Sequence, residues 1–206
     1  LYLIAAQRYY HITQDNAWLQ QHASSLARAF QYLLRHISTD DTYFESPRFC
    51  GATKFALAVT YWKDSPWPGR TNGVPVWPVT YTLVQAQALA AVRAYRALSA
   101  VDGVTGMPVH TPIQYLEAGM LSALRDLLGD GGTVGRDAHG KYQATSTDAA
   151  HLLWYLRPGD IPREQLDKIE KNVLRLATIH GFASARGYPL RPTPCRLCSH
   201  ATESVM

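Results

Sequence analysis

The chain has 206 residues, 47% of them hydrophobic and 17% charged, with a formal charge of +4. That balance excludes an intrinsically disordered chain and leaves ample apolar sequence for a core. Apolar runs are broken well short of the roughly 18 residues that a membrane span needs, and the basic residues are scattered rather than interleaved with aromatics, so neither a membrane nor a nucleic-acid partner is expected.

The opening residues, LYLIAAQRYY, read as the end of an earlier helix and carry no charged leader or cleavage pattern, as if cut from something longer. Residues 15 to 36 form an amphipathic helix. Leu19, Ala23, Leu26, Phe30, Leu33 and Ile37 recur at steps of four and three and share one face. Thr13 or Asp15 can cap it, so the two helices make a hairpin closed by a TQD turn. STDDTYFESPRFCGA is a loop, and FALAVTYWKDS has β-like composition but runs into Pro66 and Pro68, which favours a short extended or irregular segment.

An Ala-rich helix is expected from about Val79 to Ala100, apolar on most of its circumference and therefore packed on several sides. Pro112 opens a further helix that stops at a Gly-rich end, and the polar stretch that follows reads as a loop. STDAAHLLWYL is helical, with Ser146 or Thr147 as cap, and Arg157-Pro158-Gly159 ends it. Pro162 opens a last helix whose Leu166, Ile169, Val173, Leu174 and Ala177 form one stripe. The expected fold class is all-α, with paired helices and long loops at residues 38–78 and 130–146; unstructured loops of that length are usually functional. Residues 186–206 change character to Pro, Arg, Cys, Ser and His without helical period and are expected to be an atypical or truncated tail.

Three cysteines do not fix a compartment. Cys50 stands alone and reads as a buried small hydrophobe. Cys195 and Cys198 form a CxxC with His200 nearby, half of a metal site, but there is no second ligand pair, so no metal is expected. No nucleophile elbow, phosphate loop, HExxH or dinucleotide glycine pattern occurs.

The stretch TYWKDSPWPGRTNGVPVWPVTY stands apart. It holds a single acid, Asp64, among Trp62, Trp67, Trp77 and two tyrosines. A carboxyl among aromatic rings is poorly hydrated, which raises its pKa and suits it to general-acid work; Lys63 would act the other way if it shares the pocket. Aromatic faces with neighbouring hydrogen-bonding side chains suit a sugar, while a structural loop with a surface Asp is the plainer alternative. Glu45, in YFESPRF, is a candidate to orient Asp64. Asp148 is either a substrate contact or simply an acid favoured by a helix start. Glu117 and His151 fit packed, hydrogen-bonded roles better than catalytic ones.

YHITQDNAWLQQHASSLARAFQYL, then ESPRF and YWKDS, then VPVWPVTYTLVQAQALAAVRA, resemble the six-hairpin glycosidases, most of all the amylo-α-1,6-glucosidase (glycogen-debranching) group. The likeness runs in order over about residues 8 to 185, and TYWKDS is its most specific piece. It implies that residues 1–185 are part of an (α/α)6 toroid that hydrolyses glucan-like oligosaccharides with no cofactor. Asp64 would protonate the glycosidic oxygen, with Trp62, Lys63, Arg70, Trp77 and Tyr81 around the sugar. The family's base is a late Glu that has no evident counterpart here, and Val76-Trp77-Pro78 replaces a Glu-containing segment. A partial ring would leave helix faces open to self-association. The alternatives are a non-catalytic module binding carbohydrate or protein, and a sugar-acting toroid lyase or epimerase using His110, His151 or Tyr81.

Overall fold

The computed structural model describes residues 1–45, 75–108, 112–129, 133–143, 148–175, 177–178 and 181–182. These are mostly helical. Helix α1 (Tyr2–Thr13) ends in a left-handed Gln14 at φ 53°, and α2 (Asn16–Leu34) starts at once, capped by Asp15 Oδ1 accepting from Trp18 N at 2.8 Å. Asp15 thus satisfies one of the amides that no helical carbonyl can reach. The expected hairpin is present, and Leu19, Ala23, Leu26, Phe30 and Leu33 of its stripe are all buried, but Ile37 lies past the helix end, in a bridge to Tyr43.

Strand β1 (Thr80–Tyr81) leads directly into α3 (Thr82–Ser99), the central helix, which packs against α1, α2 and α4 (Ile113–Leu128). Its alanines explain how. Ala86, Ala88, Ala91 and Ala94 are buried on different sides, so neighbouring helices approach its backbone closely. Phe30 of α2 stacks on Tyr95 of α3 with centroids 4.0 Å apart, and Leu89, Met120 and Leu124 complete the centre of the core. None of the described helices is long and apolar enough to cross a membrane.

Two expectations change. Within residues 130–146, where the sequence predicts a loop, Thr133–Asp137 (β2) pairs with Gly140–Gln143 (β3), and β1 adds to the other edge of β2, giving a three-stranded antiparallel sheet. The fold is therefore mostly helical rather than all-α. The hairpin closes through the two residues Ala138 and His139, with Gly140 at φ 108° and Asp137 Oδ1 accepting from His139 N at 2.8 Å. Gly140 supplies the positive φ that this tight closure requires.

The second change is in the last third. The DAAHLLWYL helix is one short turn, α5 (Asp148–His151), continued as a 3-10 segment over Leu152–Tyr155. Helix α6 (Arg163–Leu174) stops before Ala177, which lies in a two-residue strand β4 (Ala177–Thr178) paired with β5 (Gly181–Phe182). Leu174 is 55% exposed, so the stripe ends at Val173.

Polar cement joins α3, α4 and the turn after the 3-10 segment. Arg93 of α3 is 7% exposed and binds both Glu117 of α4 (2.8 Å) and Asp160 (Nη2 to Oδ1, 2.9 Å). Glu117 also meets Arg96 at 3.0 Å, and Arg125 of α4 donates to the Asp160 carbonyl at 2.6 Å. Burial alone would raise the Asp160 pKa, but bonds from Arg93 and the Arg157 amide outweigh it and hold the carboxyl below its usual range. Glu117 is thus a largely buried, ion-paired residue.

Candidate functional site

Glu45 and Val79, which bracket the stretch 46–78 (the excursion), are tied together. Glu45 N donates to Val79 O at 2.8 Å and Val79 N donates to Glu45 O at 3.1 Å, an antiparallel bridge immediately before β1. The excursion therefore leaves and returns at one point, beside the start of α3. Asp64, Trp62, Lys63 and Arg70 belong to it and lie outside the described residues, as do Cys50, His110, Cys195, Cys198 and His200.

The root is built from the sequence on either side. On the outgoing side, Ser38–Thr42 is a tight turn with Asp41 at φ 58°, and Asp40 accepts from Thr42 Oγ1 at 2.6 Å and from Arg136 of β2 at 2.7 Å. Burial would raise the Asp40 pKa, yet hydrogen bonds from Ser38, Thr42 and Arg136 pull it well below the usual carboxylate range. On the returning side, Val76 N donates to Asp137 Oδ2 at 3.0 Å. Asp137 thereby fixes both its own hairpin turn and the last residues of the excursion.

Gln85 joins root to bundle. It is fully buried on α3, accepts from Tyr43 N at 2.6 Å, and donates to Asp41 O at 3.0 Å and Met120 O at 3.1 Å. One amide thus links the outgoing strand, the turn and α4. Gly119 of α4 completes the arrangement. A Cβ at that position would stand 2.0 Å from Asp41 Oδ2, so any other residue there requires the Asp41 carboxylate to move. Around it lies a polar cleft of about 330 Å³ walled by Asp40, Asp41, Ser122, Asp126 and Arg136.

Of the expected site residues, three gather at this root. Glu45 is at the bridge; Trp77 is half-buried on the returning segment; Tyr81, 1% exposed, packs with Val79 and Val134 of the sheet, with Trp77 and Tyr142 alongside. Asp148 is separate from these three in sequence. It is 4% exposed in the first turn of α5, which packs on α3 and β2. His151, half-buried, faces Trp154 with ring centroids 6.1 Å apart.

Sequence reasoning passes over Gln85, Asp137 and Gly119. The available signals are a Gln pair in an alanine-rich helix, an Asp two residues before His139, and a glycine inside a helix, where it costs about 1 kcal/mol relative to alanine. Among the described residues no three His, Cys, Asp or Glu side chains are grouped so as to hold a metal ion. No protein-family model matches the chain, and no curated protein sequence matches it.

Proposed function

We propose that the chain is part of a glycoside hydrolase of the (α/α)6-toroid type, acting on glucan-like oligosaccharides, with Asp64 as the proton donor. The observation that carries the reading is the aromatic segment YWKDSPW, with its single carboxylate between Trp62 and Trp67. Poor hydration of that carboxylate would keep it protonated near neutral pH, able to protonate a departing glycosidic oxygen. A second carboxylate would activate water from the opposite face of the sugar, about 6.5–9.5 Å away in an inverting enzyme.

The described scaffold supports the reading in one respect. Glu45 and Val79, the residues that bracket the segment, are paired beside the start of α3, and sites are commonly carried on chain anchored to a rigid scaffold. Trp77 on the same excursion offers a half-buried indole to a sugar face.

The test is reducing-end release from a panel of linear and branched α-glucans. Asp64→Asn is expected to lower turnover by several orders of magnitude with the unfolding midpoint unchanged. Unchanged turnover would remove Asp64 from the chemistry. Saturable glucan binding by the wild type, without hydrolysis by either protein, would replace the enzyme reading with that of a carbohydrate-binding module.

A further inference from the structure

Between α1, α3 and the 3-10 segment lies an open groove of about 590 Å³. Its floor is Ala90, Ala94 and Ala97, spaced four and three apart and so aligned along one side of α3. Ala97 is exposed, and Trp154 on the groove wall is 80% exposed. Small residues on the floor allow a helix axis to approach to about 8 Å, and an indole left in water beside them is unusual packing.

The rim carries charge. The guanidinium of Arg8 in α1 makes no ion pair or hydrogen bond among the described residues, and Arg157 also lines the groove, 54% exposed with a long 3.4 Å contact to Glu117. Behind them, Arg93 and Arg96 are held by Glu117 and Asp160. Four guanidinium groups against two carboxylates leave a net charge of +2 around an apolar floor.

We propose that this groove is a docking site for an amphipathic helix of a partner protein, with small and apolar residues on its contact face and acidic residues along its flanks. Charge decides against the long stretches of this chain that lie outside the described residues. Residues 46–74 hold Arg48, Lys54, Lys63 and Arg70 against Asp64, a net +3. Residues 183–206 hold Arg186, Arg191 and Arg196 against Glu203, a net +2, and three prolines that break a helix. A second copy, at +4 overall, is likewise poorly matched. Helix-in-groove recognition uses anchors at i, i+3, i+4 and i+7 of the docking helix, and the small side chains of Ala90, Ala94 and Ala97 leave room for them.

The probe is a fluorescein-labelled peptide of about 18 residues, some five turns, with Leu and Ala on one face and Glu on both flanks. A control peptide carries Lys in place of every Glu. Anisotropy titration of the full chain should show saturable binding of the acidic peptide, at least tenfold tighter than of the basic one and weakening as salt is raised. Ala97→Glu, at an exposed position, should leave the unfolding midpoint unchanged and weaken acidic-peptide binding at least tenfold. Arg8→Glu with Arg157→Glu should abolish or invert the preference. The proposal is overturned by equal affinity for the two peptides, by no binding up to about 1 mM, or by indifference to Ala97→Glu. It is also overturned in favour of self-association if sedimentation shows a dimer of the chain that Ala97→Glu dissolves.

Discussion

The helical bundle and the excursion root are held in opposite ways. In the bundle, α1 to α4 bury row upon row of apolar side chains, so each contact has neighbours that share its work. At the root, three polar side chains hold the chain. Asp40 ties the outgoing turn to β2, Gln85 ties it to α3 and α4, and Asp137 ties the returning segment to the hairpin. Apolar packing degrades gradually when one residue shrinks, whereas a buried polar bond lost on one side leaves a donor or acceptor with nothing. The bundle's own exception is the Arg93 cluster, where it uses the root's kind of bonding.

That exception gives the largest expected effect. Arg93→Met removes the positive centre between Glu117 and Asp160, both largely buried, and takes away most of the compensation for their charge. Breaking one side of a buried pair costs about 3–5 kcal/mol. Urea unfolding should show the loss, and adding Asp160→Asn should return part of it. If Arg93→Met proves as mild as a surface substitution, the cluster is ornamental and the bundle is apolar throughout.

Next in size is Gln85→Leu. The replacement is of similar bulk but strands Tyr43 N and Asp41 O, while Met120 O keeps its helical bond within α4. Each stranded buried group costs about 1–3 kcal/mol, less whatever water can recover at the root. We expect a global loss of about 2–3 kcal/mol, with hydrogen exchange at residues 41–45 accelerating far more than in α2. Equal acceleration in both would mean that root and bundle unfold as one unit, and the contrast between them would fail.

The bundle is legible in the sequence because its information is repeated. The stripe from Leu19 to Leu33 states the same fact five times, and the alanines of α3 state close packing from every side. The β2–β3 hairpin is not legible. Its strands are short, Gly135 interrupts the alternation, a register shift falls between Thr133 and Gly135, and β2 also pairs with β1, more than fifty positions away. Such pairing is a tertiary fact that no local window holds. Glu45, Trp77 and Tyr81 can be picked out as aromatic-loop residues, but their meeting point depends on the Glu45–Val79 bridge, which has no sequence signature. The short α5 shows the converse error. Apolar DAAHLLWYL has helical composition, yet it follows the hairpin and meets Arg157-Pro158, which leaves room for little more than a turn and a 3-10 segment.

A smaller effect isolates the glycine notch. An internal helix Gly→Ala normally stabilises by about 1 kcal/mol. Gly119→Ala should instead destabilise by about 1–2 kcal/mol, because its Cβ would meet Asp41 Oδ2 at 2.0 Å and Cγ at 2.6 Å. Asp41→Gly removes both atoms and also relieves the positive φ of 58°. The double variant should therefore be more stable than Gly119→Ala alone, and a strictly additive cycle would show that the carboxylate swings away at no cost.

The smallest effect is one of pH. Asp40 titrates lower in the folded chain than its unfolded value of about 3.9, so its contribution is present above that value and fades as pH falls through the folded pKa. Asp160 is shifted in the same direction and adds to the same acid limb. The Asp40 carboxylate is 54% exposed, and solvent screens its pairing with Arg136. Asp40→Asn should therefore cost little at pH 7 and flatten the fall in stability only below about pH 4, leaving the part due to Asp160. Because Asp40 bonds Ser38, Thr42 and Arg136 of β2 rather than any helix of the bundle, exchange at the Ser38–Thr42 turn should respond before the bundle does. Were acid to loosen α2 first, at a pH where the turn is still protected, the root would be the sturdier of the two regions and their order of unfolding would be reversed.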